Sequence, residues 1–185
     1  FELEQNKLTH LKSFQHHSMI SPNDVHMVAI DKFYFTNDHR YSKGLGRFYE
    51  EYSGRAISNV VYFDGEQYQE VAGDIAYANG INSDKERNLM YVASSRNFEI
   101  KVYRIEPDGS LSFTENIDCN SGVDNIEIDP EGTLWTAGHP NLLKFQSYAK
   151  GKINFAPSEV LTIKYVNKEN YTVKTVYIED GSTIS

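Results

Sequence analysis

The stretch from Val123 to Trp135 reads as a hairpin with oxygen-bearing side chains where its first strand begins. An Asp124-Asn125 pair leads into strict alternation, with Ile126 and Ile128 toward one side and Glu127 and Asp129 toward the other. A period of two marks a strand with one buried face. Asp129-Pro130-Glu131-Gly132 then supplies a proline and a glycine for a tight turn, and Thr133 to Thr136 resumes as the return strand. The unit occurs twice more. Asn79-Gly80-Ile81-Asn82 leads through Ser83-Asp84-Lys85 to Asn88 to Val92, and Asn23-Asp24-Val25 to Ile30 leads through Asp31-Lys32 to Phe33-Tyr34-Phe35. The leading residues Asn23, Asn79 and Asn125 are about 46 to 56 positions apart, and a strand-rich repeat near that length is the mark of a β-propeller with one blade per repeat. Innermost strands of a propeller begin beside its axis. The three Asn side chains, with Asp24 and Asp124, are therefore expected to meet at one end of the tunnel.

The remaining segments fit the same architecture. Residues 1–20 read as short outer-strand material ending at His16-His17, a pair expected on a surface loop. Arg40 to Ala56 is polar with Phe48, Tyr49 and Tyr52 at spacings of three to four, which predicts a short amphipathic helix. Asn59 to Phe63 and Gln67 to Val71 form a hairpin around Asp64-Gly65, and Glu99 to Ile105 and Leu111 to Ile117 flank the turn Pro107-Asp108-Gly109-Ser110. Leu142 to Phe145 is predicted as a strand, Tyr148 to Ala156 as a loop, Ser158 to Tyr165 and Tyr171 to Glu179 as strands, and Asp180-Gly181-Ser182-Thr183 as a turn. Trp135 is expected in the core. The fold class is all-β. Residues 1–185 are read as part of a single β-propeller domain covering roughly three to four blades, because a closed propeller has about four or more; further blades are expected upstream and downstream.

Composition bounds the function. A net charge of −8, with no basic run, argues against a nucleic-acid surface. No apolar stretch approaches the length of a membrane span. The single cysteine, Cys119, has no partner for an internal disulfide. No EF-hand loop, zinc spacing, glycine-rich phosphate loop or serine elbow occurs. What the repeats do offer is oxygen. Calcium takes six to eight oxygen ligands, and carboxylates mixed with Asn carbonyls suit it. Asn and Asp also start strands simply to satisfy local backbone groups, but three repeats carrying them in one register favour a shared ligand.

At these residues the chain resembles the serum paraoxonase/arylesterase family. The motifs are Ser21-Pro22-Asn23-Asp24-Val25, Thr36-Asn37-Asp38-His39, Tyr77-Ala78-Asn79-Gly80-Ile81-Asn82, Val123-Asp124-Asn125-Ile126, Gly138-His139-Pro140-Asn141 and Pro157-Ser158-Glu159-Val160-Leu161, in order over nearly the whole chain. The resemblance implies a six-bladed β-propeller with two Ca2+ ions in its tunnel, one catalytic and one structural. It implies secreted or membrane-associated calcium-dependent hydrolases of lactones and aryl esters, some also acting on organophosphates. By the same resemblance Asn23, Asn79, Asp124 and Asn125 would bind the catalytic ion and Asp24 the structural one. Tyr77 would line the substrate pocket, where the family often has Phe, and His39 and His139 sit where the family has pocket histidines. The family's remaining acidic ligands and its water-activating His pair are expected upstream of this chain. Residues 40–56 are more polar than the apolar helix some relatives place on lipid, so membrane or lipoprotein association is expected mainly through segments outside this chain. Asn170-Tyr171-Thr172 is a glycosylation sequon.

Three functions compete at this level. The first is a calcium-dependent esterase or lactonase acting on a small-molecule ester or lactone, with the ion polarising the carbonyl and stabilising the oxyanion. The second is a catalytically inactive paraoxonase-like protein serving as a membrane-associated chaperone or assembly factor. The third, a sugar lactonase of the regucalcin type, calls for a more polar pocket than Tyr77 suggests.

Overall fold

The computed structural model describes residues 1–53 and 55–179; the turn expected at Asp180 to Thr183 lies outside the described residues. A short hairpin, β1 (Glu2–Glu4) and β2 (Lys7–Thr9), precedes three antiparallel four-stranded sheets. The first holds β3 (Pro22–Ala29), β4 (Lys32–Asn37), β5 (Ser58–Phe63) and β6 (Tyr68–Ile75), with α1 (Gly44–Ser53) between β4 and β5. The second holds β7 (Ala78–Asp84), β8 (Leu89–Ser94), β9 (Glu99–Ile105) and β10 (Leu111–Asp118), with a 3-10 turn at Ser95–Asn97. The third holds β11 (Gly122–Ile128), β12 (Leu134–His139), β13 (Ser158–Asn167) and β14 (Asn170–Glu179), with α2 (Leu142–Ala149) after β12. Strands pair in chain order within every sheet, the blade meander of a propeller. The fold is all-β and forms part of a β-propeller.

Burial explains why the sheets stack. Tyr34, Val60, Tyr62 and Ile75 of the first blade pack on Ile81, Met90, Val92 and Tyr103 of the second. Tyr91, Ile100, Val102 and Ile117 of the second pack on Val123, Ile126, Leu134, Leu161 and Ile163 of the third. Burying a side chain of this size contributes about 1.5–3 kcal/mol, so each interface holds its neighbours without further help. The far face of the first blade, Phe33, Phe35, Val61 and Phe63, is covered by Phe14, Met19 and Tyr68. Polar bridges fix the angle between blades. Tyr34 Oη donates to the Gly109 carbonyl (2.8 Å), and Arg87 donates to the carbonyls of Tyr165 (2.7 Å) and Val166 (2.8 Å). Among the described residues no helix is long and apolar enough to cross a membrane.

Two expectations are corrected. Leu142 to Phe145, expected as a strand, opens the helix α2. The Asn141 side chain caps it by accepting from the Lys144 amide at 3.0 Å, and the helix continues to Ala149 through the segment expected to start a loop. Trp135, expected in the core, is 40% exposed: it pairs with Glu127 and Thr162 on the outward face of the third blade, and its indole N–H donates to Asp129 at 2.8 Å.

Candidate active site

The same irregularity interrupts all three innermost strands. On β3 the pairing steps from Pro22↔Asn37 to Val25↔Phe35, on β7 from Ala78↔Ser94 to Ile81↔Val92, and on β11 from Val123↔Gly138 to Ile126↔Thr136. Each step spends one more residue on the inner strand than on its partner, which is a β-bulge, and bulges re-aim side chains. The bulged pairs are Asn23-Asp24, Asn79-Gly80 and Asp124-Asn125. The structural equivalent of Asn23 and Asn79 is therefore Asp124, one position before the Asn125 that sequence spacing aligns with them.

Gly80 explains how the bulges come together. A Cβ there would lie 2.5 Å from Asn125 Cα, 2.6 Å from the Asp124 carbonyl oxygen and 2.8 Å from the Ile126 nitrogen. Only glycine permits that approach of two backbones. Thr36 Oγ1 donates to the Asn79 carbonyl (2.7 Å) and Ser95 Oγ to the Val123 carbonyl (2.6 Å), so hydroxyls from adjoining elements hold the bulged strands in place. The result is a cleft of about 390 Å3 lined by Asn23, Asn79, Asp124 and Asn125, with Tyr77, Arg96 and His139 on its walls. From α2, Leu142, Phe145 and Gln146 close it, one face of that helix at spacings of three and four.

The amides are turned the same way. Asn79 Nδ2 donates to Ser95 Oγ (3.3 Å) and Asn23 Nδ2 to Asp38 Oδ2 (3.4 Å), which leaves both carbonyl oxygens as acceptor ends. With Asn125 and the Asp124 carboxylate this makes an oxygen-only set. Oxygen donors of this kind suit a hard cation rather than zinc; among the described residues no cluster of three His, Cys, Asp or Glu forms. Asp24 lies elsewhere. It is half-buried between blades, where Oδ1 accepts from the Val25 amide (2.8 Å) and Oδ2 from the Ile81 amide of the next blade (2.9 Å).

Tyr77 enters the cleft from an unusual backbone, with φ at +65°. Its carbonyl accepts from the Ser95 amide and that of Ala76 from the Arg96 amide. Burial, then the Asp38 charge, pushes its hydroxyl up to about 12, so the phenol stays protonated. His39 is buried edge-on to Tyr77, ring centres 5.0 Å apart, and its Nδ1 bonds Asp38 Oδ1 at 2.7 Å. Burial opposes the charge on Asp38, yet hydrogen bonds from His39 and Ser21 prevail and hold its carboxyl below the usual range. His139 is buried and stacks on Phe145 at 3.7 Å; burial lowers its pKa against the pull of Asp124, so it is neutral near pH 7. Its Nδ1 has no hydrogen-bond partner among the described residues. His39 faces an adjoining hollow rather than the cleft itself. Arg96, Phe145 and Gln146 were not singled out from sequence; the helical spacing of Leu142, Phe145 and Gln146 behind the Asn141 cap was the available signal. Asn170 lies exposed at the start of β14. A larger cleft of about 600 Å3, among the hairpin turns around Lys85, Pro130 and Lys164, contains none of the bulged pairs.

An arylesterase family model matches residues 1–185. Serum paraoxonase/arylesterase 2 of Rattus norvegicus is 38% identical over 186 residues, and serum paraoxonase/arylesterase 1 of Homo sapiens is 36% identical over 185. Each match covers 100% of this chain and 52% of the relative, so the chain spans about half the length of the curated relatives it matches. Among solved structures, a luciferin-regenerating enzyme superposes with a TM-score of 0.56 at 15% identity, covering 89% of this chain and 48% of that one. A gluconolactonase from Xanthomonas campestris superposes with a TM-score of 0.50 at 22% identity, covering 72% and 47%. These two likenesses are of fold.

Proposed function

The chain belongs to the arylesterase family, and from that premise we propose that the protein it forms part of hydrolyses aryl esters and lactones with calcium held at the bulges. The observation that carries the reading is the convergence of three bulged strands, whose Asn23, Asn79, Asp124 and Asn125 supply oxygens to one cleft. Those four residues would hold the catalytic ion. Calcium bound there would supply Lewis-acid polarisation of the substrate carbonyl and stabilise the oxyanion as water attacks. The chain's own residues do the positioning. Tyr77 and Phe145 offer aromatic faces to an aryl or acyl group, and the protonated Tyr77 hydroxyl is turned toward the Asp38 carboxylate. The neutral His139 contributes its ring to the cleft wall, stacked on Phe145. The four oxygen-bearing side chains fall short of the usual six to eight ligand oxygens unless other groups complete the shell.

Asp24 is assigned to a second, structural ion. Its two amide bonds leave carboxylate lone pairs unused, and it already ties β3 to β7. The relatives' designation as serum proteins and the Asn170 sequon support a secreted or secretory-pathway location.

The test is Asp124→Asn in the full-length protein. Asn keeps the shape and removes one charge, and calcium affinity follows ligand charge. Calcium titration should show weakening of about tenfold or more, with ester and lactone turnover falling alongside, while the melting temperature of the calcium-free protein stays put. Asp24→Asn should instead lower thermal stability first. Unchanged affinity and turnover in the Asp124 variant would refute the site. Calcium binding without turnover on any ester or lactone would favour the non-catalytic chaperone.

A further inference from the structure

Beside the cleft lies a hollow of about 280 Å3 that shares Tyr77, Arg96, Phe145 and Gln146 with it and adds His39, Arg47, Ala149 and Lys150. Among the described residues its lining holds three cationic side chains, Arg47, Arg96 and Lys150. The chain as a whole carries 26 acidic residues against 18 Lys and Arg, so this is a local inversion of charge. The cations come from three separate elements: Arg47 from α1, Arg96 from the 3-10 turn, and Lys150 from the end of α2. Arg96 is held as a fixed fork. Its guanidinium stacks over Tyr77 with Cζ 5.3 Å from the ring centre, and Nη1 donates to the Glu50 backbone carbonyl at 3.3 Å. An arginine has five donors, and among the described residues no carboxylate is ion-paired with Arg96 or with Lys150. Among the described residues, two carboxylates nearby are turned to other partners. Glu50 accepts from the Arg40 and Tyr41 amides, and Asp38 from Ser21 and His39.

We infer that the substrate carries a carboxylate on its acyl chain, received by Arg96 with Lys150 beside it, while its ester or lactone carbonyl lies in the cleft. The inference rests on the hydrolase reading for the reacting bond. Guanidinium matches carboxylate geometry in a two-point fork, and a concave cationic wall raises the local concentration of anions. Tyr77, shared by both spaces, is the hinge between the acid end and the reacting end.

Two measurements on the full-length protein test this. Calorimetry would compare 3-phenylpropanoate with its neutral counterpart 3-phenylpropanamide at low and high salt. The acid should bind about tenfold tighter at low salt, and added salt should narrow the gap. The preference should vanish in Arg96→Gln and shrink in Lys150→Gln. Lys150 is exposed, so that variant keeps the test sound if Arg96→Gln folds poorly. Turnover would compare monophenyl glutarate with phenyl pentanoate, an ester of equal acyl length. The ratio of their kcat/KM values should exceed about ten in the native protein and fall toward one in Arg96→Gln. Equal binding of acid and amide, or a preference that survives both substitutions, overturns the inference; in the second case the acid is bound elsewhere, as by a metal. Turnover of both esters at one rate overturns it and leaves the hydrolase reading standing. Acid-selective binding with no turnover of either ester removes the hydrolase reading alone.

Discussion

Tyr77 spends conformational energy to reach its place. A bulky residue at φ +65° costs about 1–3 kcal/mol, and such strain persists where surrounding structure imposes it. Here the Ser95 and Arg96 amides impose it by bonding the carbonyls of Tyr77 and Ala76. The usual ranking of small residues should therefore invert at this position. Tyr77→Gly should unfold at higher denaturant than Tyr77→Ala, by about 1 kcal/mol, because alanine keeps the strain that glycine relieves; equal midpoints would contradict the strained backbone. Asp38 makes a second prediction at this scale. Its carboxyl is held low in the folded protein by His39 and Ser21 against the cost of burial. The unfolded chain thus takes up the proton first. Its stabilising contribution is complete above the unfolded pKa of about 3.9 and is lost as pH falls through the lower folded value. Urea midpoints measured from pH 5 to pH 2 should fall less steeply in Asp38→Asn than in the native chain. A parallel decline would show that Asp38 is not involved.

At the scale of elements the bulge matters more than the strand. Gly80→Ala would drive a methyl into the backbone of Asp124 to Ile126, where no side chain can swing away. The expected loss is about 1–3 kcal/mol, the range for overpacking, with weaker calcium binding because the second and third bulges are pushed apart. Calcium titration with chemical denaturation reads both, and normal values for both would show that the blades slide freely. The hairpins themselves were legible, because Ile126 and Ile128 alternate with Glu127 and Asp129 and each turn carries its proline, glycine or Asx residue. The bulges were not. A count of period two sees an Asp-Asn pair as a strand start, and the extra residue becomes visible only when Val123 and Ile126 are matched to Gly138 and Thr136. That is also why the repeat was aligned on Asn125 instead of Asp124. The helix α2 was missed because Leu142 to Phe145 is too short an apolar run to separate a strand from a helix, although the Asn141 cap was there to be read. Trp135 was misplaced by its bulk; its register opposite Glu127 assigns it to the wet face.

Over the whole molecule, the blades and the clustering of Asn23, Asn79, Asp124 and Asn125 could be reasoned from repetition, whereas the cationic hollow could not, since Arg47, Arg96 and Lys150 are scattered in sequence and gathered only by packing. The location of the parent protein is open to a direct measurement. Asn170 stands exposed at the β13–β14 turn, within reach of a glycosylating enzyme. Glycosidase treatment of the native protein should lower its mass, and Asn170→Gln should abolish that shift; a native protein found only in the cytosol would count against export. The tight packing at Gly80 also has a bearing on chemical ageing. Asn followed by Gly is the sequence most prone to deamidation, because the glycine nitrogen can swing round and attack the amide. Asn79-Gly80 is such a pair, yet its nitrogen is locked in the bulge against the third blade, while the Asn79 amide is moored to Ser95 and its carbonyl to Thr36. The fold that builds the oxygen cluster thereby slows the reaction that would turn one of its neutral members into an acid.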